Sequence, residues 1–224
     1  MPAHLLRQID TWIFDLDNTL YPPSAELFPL IDARMGAFIA RLLDCDLVEA
    51  RRVQKQFFHD HGTTLVGLMR HHDVMPEEFL VDVHDIALDQ LTPCTRLAAS
   101  IAALPGRRII FTNADADYAA RVLDARGLGG LFEGICDIRA TGYVPKPQAA
   151  AYDHLLAAFD VDPTRSLFVE DMARNLSPAK ALGMTTLWLD NGAESGHRDL
   201  NPAHIDYRAD DLADWLDTLF AEAT

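Results

Sequence analysis

Four short apolar runs, each bounded by polar residues, constrain this chain more than any other feature. Residues 11–14 run into Asp15-Leu16-Asp17, residues 108–111 into Thr112-Asn113, and residues 167–169 into Glu170-Asp171. Residues 185–189 form the fourth run, and residues 205–207 read as a short fifth strand. Runs of this length without polar alternation suit strands covered on both faces. Helical stripes separate them. Leu97, Ile101 and Leu104 recur before Pro105-Gly106, and Tyr118, Val122 and Leu123 before Gly127. Pro147 suits a helix N1 position ahead of Tyr152, Leu155, Leu156 and Phe159. Leu212, Trp215, Leu216, Leu219 and Phe220 form the last stripe, with Asp210 or Asp211 as its N-cap. Alternating strands and helices predict an α/β fold with a Rossmann-like, doubly wound, mainly parallel sheet.

One stretch breaks the alternation. Between Pro22 and Thr92 the pattern is helical throughout. Met35, Phe38, Ile39 and Leu42 make one stripe, and Asp46 with Glu49 reads as a capping box before Val48, Val53 and Phe57. Gly62 ends that helix and Pro76 opens another. The organisation expected is a catalytic core built from residues 1–21 and 93–224, with residues 22–92 inserted as a small α-helical domain.

The 34 acidic residues outnumber the 19 basic ones, for a net charge of −15. Nucleic-acid polymers and anionic membranes are therefore disfavoured partners, because both are gripped by clustered Lys and Arg. A small anion needs only a local pocket, where a bound cation can supply positive charge. No apolar run approaches the length that crosses a bilayer. Residues 1–10 lack the charged, apolar and small-residue segments of a secretory leader. Cys45, Cys94 and Cys136 are too few and too scattered for a zinc or disulfide framework, and they read as buried free thiols in a reducing, cytoplasmic setting.

The polar groups share one location. Asp15, Asp17, Thr112, Asn113 and Asp171 all fall at or just beyond the C-terminal ends of core strands, where open α/β sheets bind ligands. Any one of them could merely cap a turn; together they mark a site. Asp15 and Asp17 lie two apart and, if the extended backbone persists, project to the same side. With Glu170 and Asp171 they make an all-oxygen anionic cluster, which suits a hard divalent ion such as Mg²⁺.

These residues also resemble a known family. Asp15-Leu16-Asp17-Asn18-Thr19-Leu20-Tyr21 is similar to the DxDxT motif of the haloacid dehalogenase superfamily of phosphatases. Phe111-Thr112-Asn113-Ala114 resembles its second motif, Lys146-Pro147 its third, and Val169-Glu170-Asp171 with Asn175 its fourth, in the family's order. Glu170 stands where Asp is more frequent, and Met172 where a small or hydroxyl residue is. The helical stretch after the first motif matches the family's small cap.

The resemblance implies phosphomonoester hydrolysis through an aspartyl phosphate on Asp15, with Asp17 as acid and then base. Mg²⁺ is expected on the Asp15 carboxylate, the Asp17 carbonyl and Asp171, with Glu170 and Asn175 around it. Thr112 and the Asn113 N–H are expected to bind the phosphoryl oxygens, and Lys146 to neutralise charge. Residues 62–68 and the Tyr21-Pro22 pair are similar to the pyrimidine 5′-nucleotidase branch. That likeness makes Thr63 and Thr64 candidate contacts to base or sugar, although either suits an N-cap. The small phosphorylated substrate would then be a nucleoside 5′-monophosphate. Alternatives are a sugar-phosphate or general metabolite phosphatase, a 2-haloacid dehalogenase, and a non-catalytic metabolite-binding protein. His59, His61, His71 and His72 lack the one-face spacing of a zinc site within a helix.

Overall fold

The computed structural model describes residues 5–222. The ends of the two expected core segments, residues 1–4 and 223–224, lie outside the described residues, as does most of the first half of the stretch read for a secretory leader. After a single helical turn, α1 (Leu5–Gln8), comes β1 (Thr11–Phe14), buried at every position. Four helices follow without an intervening strand: α2 (Leu27–Leu43), α3 (Leu47–His61), α4 (Thr64–His72) and α5 (Pro76–His84). The chain then alternates through α6 (Thr95–Ala103), β2 (Arg107–Phe111), α7 (Ala116–Ala125), β3 (Gly134–Cys136) and α8 (Ala149–Phe159). It ends with β4 (Ser166–Glu170), α9 (Ala173–Ala181), β5 (Thr185–Leu189), β6 (Tyr207–Ala209) and α10 (Leu212–Ala221).

The six strands form one parallel sheet in the order β3-β2-β1-β4-β5-β6. Alternation along each strand divides its side chains between the two faces. Trp12, Phe14, Ile110, Leu167 and Leu187 pack on one side with residues of α6, α7 and α10. Ile13, Ile109, Phe111, Phe168 and Trp188 pack on the other with α8 and α9. The chain leaves β1 toward β2 on one side, and β4 joins β1 on the other, so the topological switch point lies between β1 and β4.

Several local expectations hold and others are corrected. Asp211 caps α10 and Gly62 ends α3 with φ of 88°. Pro76 occupies the first turn of α5. Asp46 caps α3 through the Glu49 N–H at 2.9 Å, but the capping box is half formed, because the Glu49 carboxylate pairs with Arg52 instead. The last strand is residues 207–209 rather than 205–207: Pro202 opens a 3₁₀ turn, capped by Asn201, that runs to His204. β3 was not expected, being only three residues long and opening on Gly134. Pro147 is not at a helix N1 position; α8 starts at Ala149, and the Lys146–Pro147 peptide is cis. All three cysteines are free, but only Cys136 is buried, and burial pushes its thiol up to about 12. Among the described residues, no helix is long and apolar enough to cross a membrane.

Candidate active site

Asp15 continues the β1 ladder by donating its N–H to the Val169 carbonyl at 3.0 Å. The chain then turns. Thr19 and Leu20 both donate N–H bonds to the Leu16 carbonyl, and Asn18 takes a left-handed φ of 57°. The turn brings the Thr19 hydroxyl back to Asp15 Oδ2 at 3.1 Å. It also ends the extended geometry, so the Asp17 carboxylate does not join that of Asp15 in one ion-binding cluster. Asp17 Oδ1 instead accepts from the Tyr21 hydroxyl at 2.6 Å and from the Tyr118 hydroxyl at 2.9 Å. Burial and the neighbouring Asp17 charge push both phenols well above their ordinary range.

Lys146 reaches the same strand tips from the loop before α8 and is 1% exposed. Its ammonium donates to Asp15 Oδ1 at 2.6 Å, to the Phe111 carbonyl at 2.8 Å and to Glu170 Oε2 at 2.8 Å. These three bonds account for all three of its protons. It therefore brings charge and a hold on Asp15 to the cleft floor, with no proton left for a further bond. Burial works against its charge, yet Asp15 and Glu170 beside it hold it above the usual lysine range. Its loop is pinned by Asn113, whose Oδ1 accepts from the Lys146 N–H at 2.9 Å and whose Nδ2 donates to the Lys146 carbonyl at 3.3 Å. The Asn113 side chain is thus engaged within the protein. Thr112 is buried, and its oxygen accepts from the Ala114 N–H at 3.0 Å, leaving its hydroxyl proton to donate.

Across the switch point, β4 delivers Glu170 and Asp171. One oxygen from each of Asp15, Glu170 and Asp171 lies within 4.8 Å of the others, and all three residues are buried. Burial pushes the Asp15 carboxyl up to about 7, with Glu170 and Asp17 adding to the rise and Lys146 opposing it. Asp171 is raised too, by burial and then by Glu170 and Asp15. One ammonium does not balance three carboxylates, so this donor set fits a hard divalent cation. Glu170 is engaged at both oxygens, by Lys146 and by the Met172 N–H at 3.1 Å, which suits a role around the cation. Asn175, in the first turn of α9, is buried with no partner for its Oδ1 among the described residues. Such an orphaned acceptor beside the carboxylates fits a cation-bound water.

A cleft of about 190 Å³ separates this floor from the helical segment. Asp15, Asp17, Asn113, Lys146, Glu170 and Asp171 line its base. Phe58, Phe79, Gln54, Thr63, Thr64 and His84 are among the residues that line its upper part. Thr63 is the N-cap of α4, accepting from the Val66 N–H at 3.3 Å, and the Thr64 hydroxyl donates to the Gln54 carbonyl at 3.3 Å. Both expected contacts thus face the cleft while already serving the local fold. Phe57 is core, as expected, whereas Phe58 lines the cleft beneath the Arg174 and Arg198 guanidiniums. Spacing within one helix does not bring these histidines together, but across α3 and α4 His61 Nε2 lies 3.0 Å from His71 Nε2.

Three residues around the site were not singled out from sequence as part of it. Tyr118 reads as one of the apolar positions of α7, and Asp115 is its N-cap, accepting from the Tyr118 N–H at 2.9 Å. His84 closes α5 and bonds Asp115 from the helical segment. Only Asp115, one residue beyond the second motif in a capping position, carries a local sequence signal.

A parallel sheet with an acidic, cation-fitting site at its switch point, faced by an inserted helical layer, defines a class of hydrolase. The chain belongs to the haloacid dehalogenase-like hydrolases, whose family model matches residues 9–183. Phosphate metabolism protein 8 of Saccharomyces cerevisiae is 24% identical over 193 residues, which cover 77% of this chain and 59% of the yeast protein. The chain thus spans about 59% of that relative's length. Enolase-phosphatase E1 of Pseudomonas syringae is 39% identical over 77 residues, about a third of each chain (34% and 33%). Among solved structures, a phosphatase of the family from Thermococcus onnurineus superimposes with a TM-score of 0.63 at 17% identity, covering 94% of this chain and 98% of that one. L-2-haloacid dehalogenase from Xanthobacter autotrophicus gives 0.54 at 17% identity, covering 95% and 98%.

Proposed function

We propose that this hydrolase is a Mg²⁺-dependent phosphomonoesterase acting on nucleoside 5′-monophosphates, with pyrimidine nucleotides preferred. The observation that carries the phosphatase reading is Asp15, held between Lys146 and a group of carboxylates that demands a cation. The Asp15 and Asp171 carboxylates and the Asp17 carbonyl would hold Mg²⁺, with Glu170 and Asn175 around it. When bound, the ion neutralises the phosphoryl oxygens and lets an anionic nucleophile approach them.

Thr19 and Lys146 orient the two Asp15 oxygens. One of those oxygens attacks phosphorus, and the bond to the ester oxygen breaks. Asp17 supplies the proton that the departing alkoxide takes. Water then attacks the phosphorus of the aspartyl phosphate, Asp17 receives its proton, and phosphate leaves with the Asp15 carboxylate restored. The Thr112 hydroxyl and the Asn113 N–H bind the phosphoryl oxygens throughout.

In this reading residues 22–92 are a cap over the cleft. Thr63 and Thr64 offer oxygens to the substrate, and Phe58 and Phe79 offer aromatic surface to a base. The nucleotide preference rests on the likeness of residues 62–68 and Tyr21-Pro22 to the pyrimidine nucleotidase branch. Free cysteines suit a reducing, cytoplasmic setting. Dehalogenation is the competing chemistry, and the dehalogenase structures share this fold. It needs no leaving-group acid, which disfavours it here, because Asp17 is held at the cleft by two tyrosines. The non-catalytic alternative leaves the Asp15, Asp17 and Lys146 set without a purpose.

The test is a panel of UMP, CMP, glucose 6-phosphate and 2-chloropropionate, with Mg²⁺ or EDTA, for the wild type and Asp15→Asn. Expected are Mg²⁺-dependent phosphate release, the highest kcat/KM on the pyrimidine nucleotides, and loss of turnover in the variant with its circular dichroism unchanged. Equal kcat/KM on UMP and glucose 6-phosphate removes the nucleotide claim. Halide release in EDTA replaces phosphatase by dehalogenase.

A further inference from the structure

Asp17 is held in an unusual way. Two phenol hydroxyls from different parts of the chain converge on a single one of its oxygens. Tyr21 lies four residues beyond it, after the β1 turn, and donates to Oδ1 at 2.6 Å. Tyr118 lies in the first turn of α7 and donates to the same oxygen at 2.9 Å. The two hydroxyls sit 3.5 Å apart, and each tyrosine is 1% exposed. No protein donor among the described residues reaches Oδ2, and Asp17 lines the cleft. A carboxyl group carries its proton on the oxygen whose O–H has somewhere to point. With Oδ1 accepting two O–H bonds, that oxygen is Oδ2.

We propose that Tyr21 and Tyr118 are positioning residues for proton transfer: together they lock Asp17 Oδ1 and make Oδ2 the oxygen that serves the leaving group. The inference rests on the phosphatase reading above and adds residues outside the motif aspartates to it.

The clamp is also tied to the helical segment. His84, the last residue of α5, stacks its ring on Tyr118 with centroids 4.4 Å apart and planes 12° from parallel. Its Nδ1 bonds Asp115 Oδ2, while Asp115 Oδ1 caps α7 through the Tyr118 N–H. Arg121, one turn along α7, donates to the carbonyls of His84 at 2.9 Å and Ile86 at 2.6 Å. The end of α5 and the start of α7 are therefore stitched together around the Tyr118 ring. The Tyr118 ring whose hydroxyl bonds Asp17 is thus packed against the end of the helical segment.

Two buried tyrosines could instead serve packing alone, and leaving-group dependence separates the roles. Phenyl phosphate and 4-nitrophenyl phosphate have similar shapes, but the phenoxide needs a proton to leave and the nitrophenoxide does not. Tyr118→Phe and Tyr21→Phe each keep the ring and remove one bond to Oδ1. With Mg²⁺ present, each substitution is expected to lower kcat/KM, which reads the steps up to loss of the leaving group, about ten-fold on phenyl phosphate, a part of what general acid catalysis supplies, with a much smaller fall on 4-nitrophenyl phosphate. Asp17→Asn is expected to show the same selectivity more strongly. If both tyrosine variants, folded by circular dichroism, lose kcat/KM equally on the two esters, or lose none, the clamp is overturned. A wild type that hydrolyses neither ester overturns the phosphatase reading, and the clamp with it.

Discussion

Replacing Lys146 by methionine tests the electrostatic balance of the site. The ammonium is 1% exposed and bonds Asp15, Glu170 and the Phe111 carbonyl. It also sits 5.1 Å and 5.3 Å from the ring centroids of Phe111 and Phe168. Methionine fills much of the same volume, so the change is chiefly one of charge. Removing one partner of a buried ion pair costs about 3–5 kcal/mol, because the other is left uncompensated. For a chain of this size that lowers Tm by about 6–20 °C, at roughly 2–4 °C per kcal/mol. Thermal melts in EDTA at neutral pH are expected to show this loss. Lys146 is held above its ordinary range in the fold, so its stabilisation is complete at every pH below that range and neutral pH reads it in full. Adding Asp15→Asn removes one of the carboxylates left facing the missing charge, so the double variant is expected to lose less than the two single losses combined. A Lys146→Met protein as stable as the wild type in EDTA would refute the claim that this lysine balances the carboxylates.

Two further outcomes follow from the geometry. Without a cation, Asp15 is raised from 3.8 to about 7, so the folded protein holds that proton more tightly than the unfolded chain does. This site's contribution to stability therefore falls as pH rises through that window, and a cation on the ionised cluster reverses the fall. Mg²⁺ at a hundred times its Kd adds about 2.7 kcal/mol of stability, and the resulting rise in Tm is expected to be larger at pH 8 than at pH 5; a rise independent of pH counts against the cluster as its binding site. In the helical segment, a Cβ on Gly67 would lie 2.3 Å from Phe57 Cγ and 2.4 Å from its Cβ, so Gly67→Ala is expected to cost about 1–3 kcal/mol in urea unfolding; a variant as stable as the wild type would contradict this close approach.

What was legible in the sequence divides along physical lines. Residues 11–14, 108–111 and 185–189 announced their strands because burial on both faces leaves no polar alternation. Asp15 and Asp171 were legible because charged groups at strand ends have few structural uses, and Lys146, in a loop, only through its likeness to the third motif. β3 was not legible, since three residues opening on glycine carry too little pattern, and its place is set by pairing with Ile109, Ile110 and Phe111. The start of α8 was misread because Pro147 suits a first helical turn, whereas tertiary bonds hold Lys146 at the strand tips. Tyr118 and His84 were hidden for a different reason. An aromatic residue on an apolar stripe reads as packing, and only the fold reveals that the Tyr118 hydroxyl ends on Asp17 and that the His84 ring lies against Tyr118.

The central claim is that Asp15 itself carries the phosphoryl group, and chemical trapping reads that directly. The wild-type protein is quenched in acid while turning over UMP with Mg²⁺, treated with borohydride and digested for peptide mass analysis. An acyl phosphate on Asp15 is reduced by this treatment to homoserine. Homoserine at position 15, absent when UMP is omitted, is the predicted result; active turnover with position 15 still aspartate, or with the label on another residue, contradicts the account.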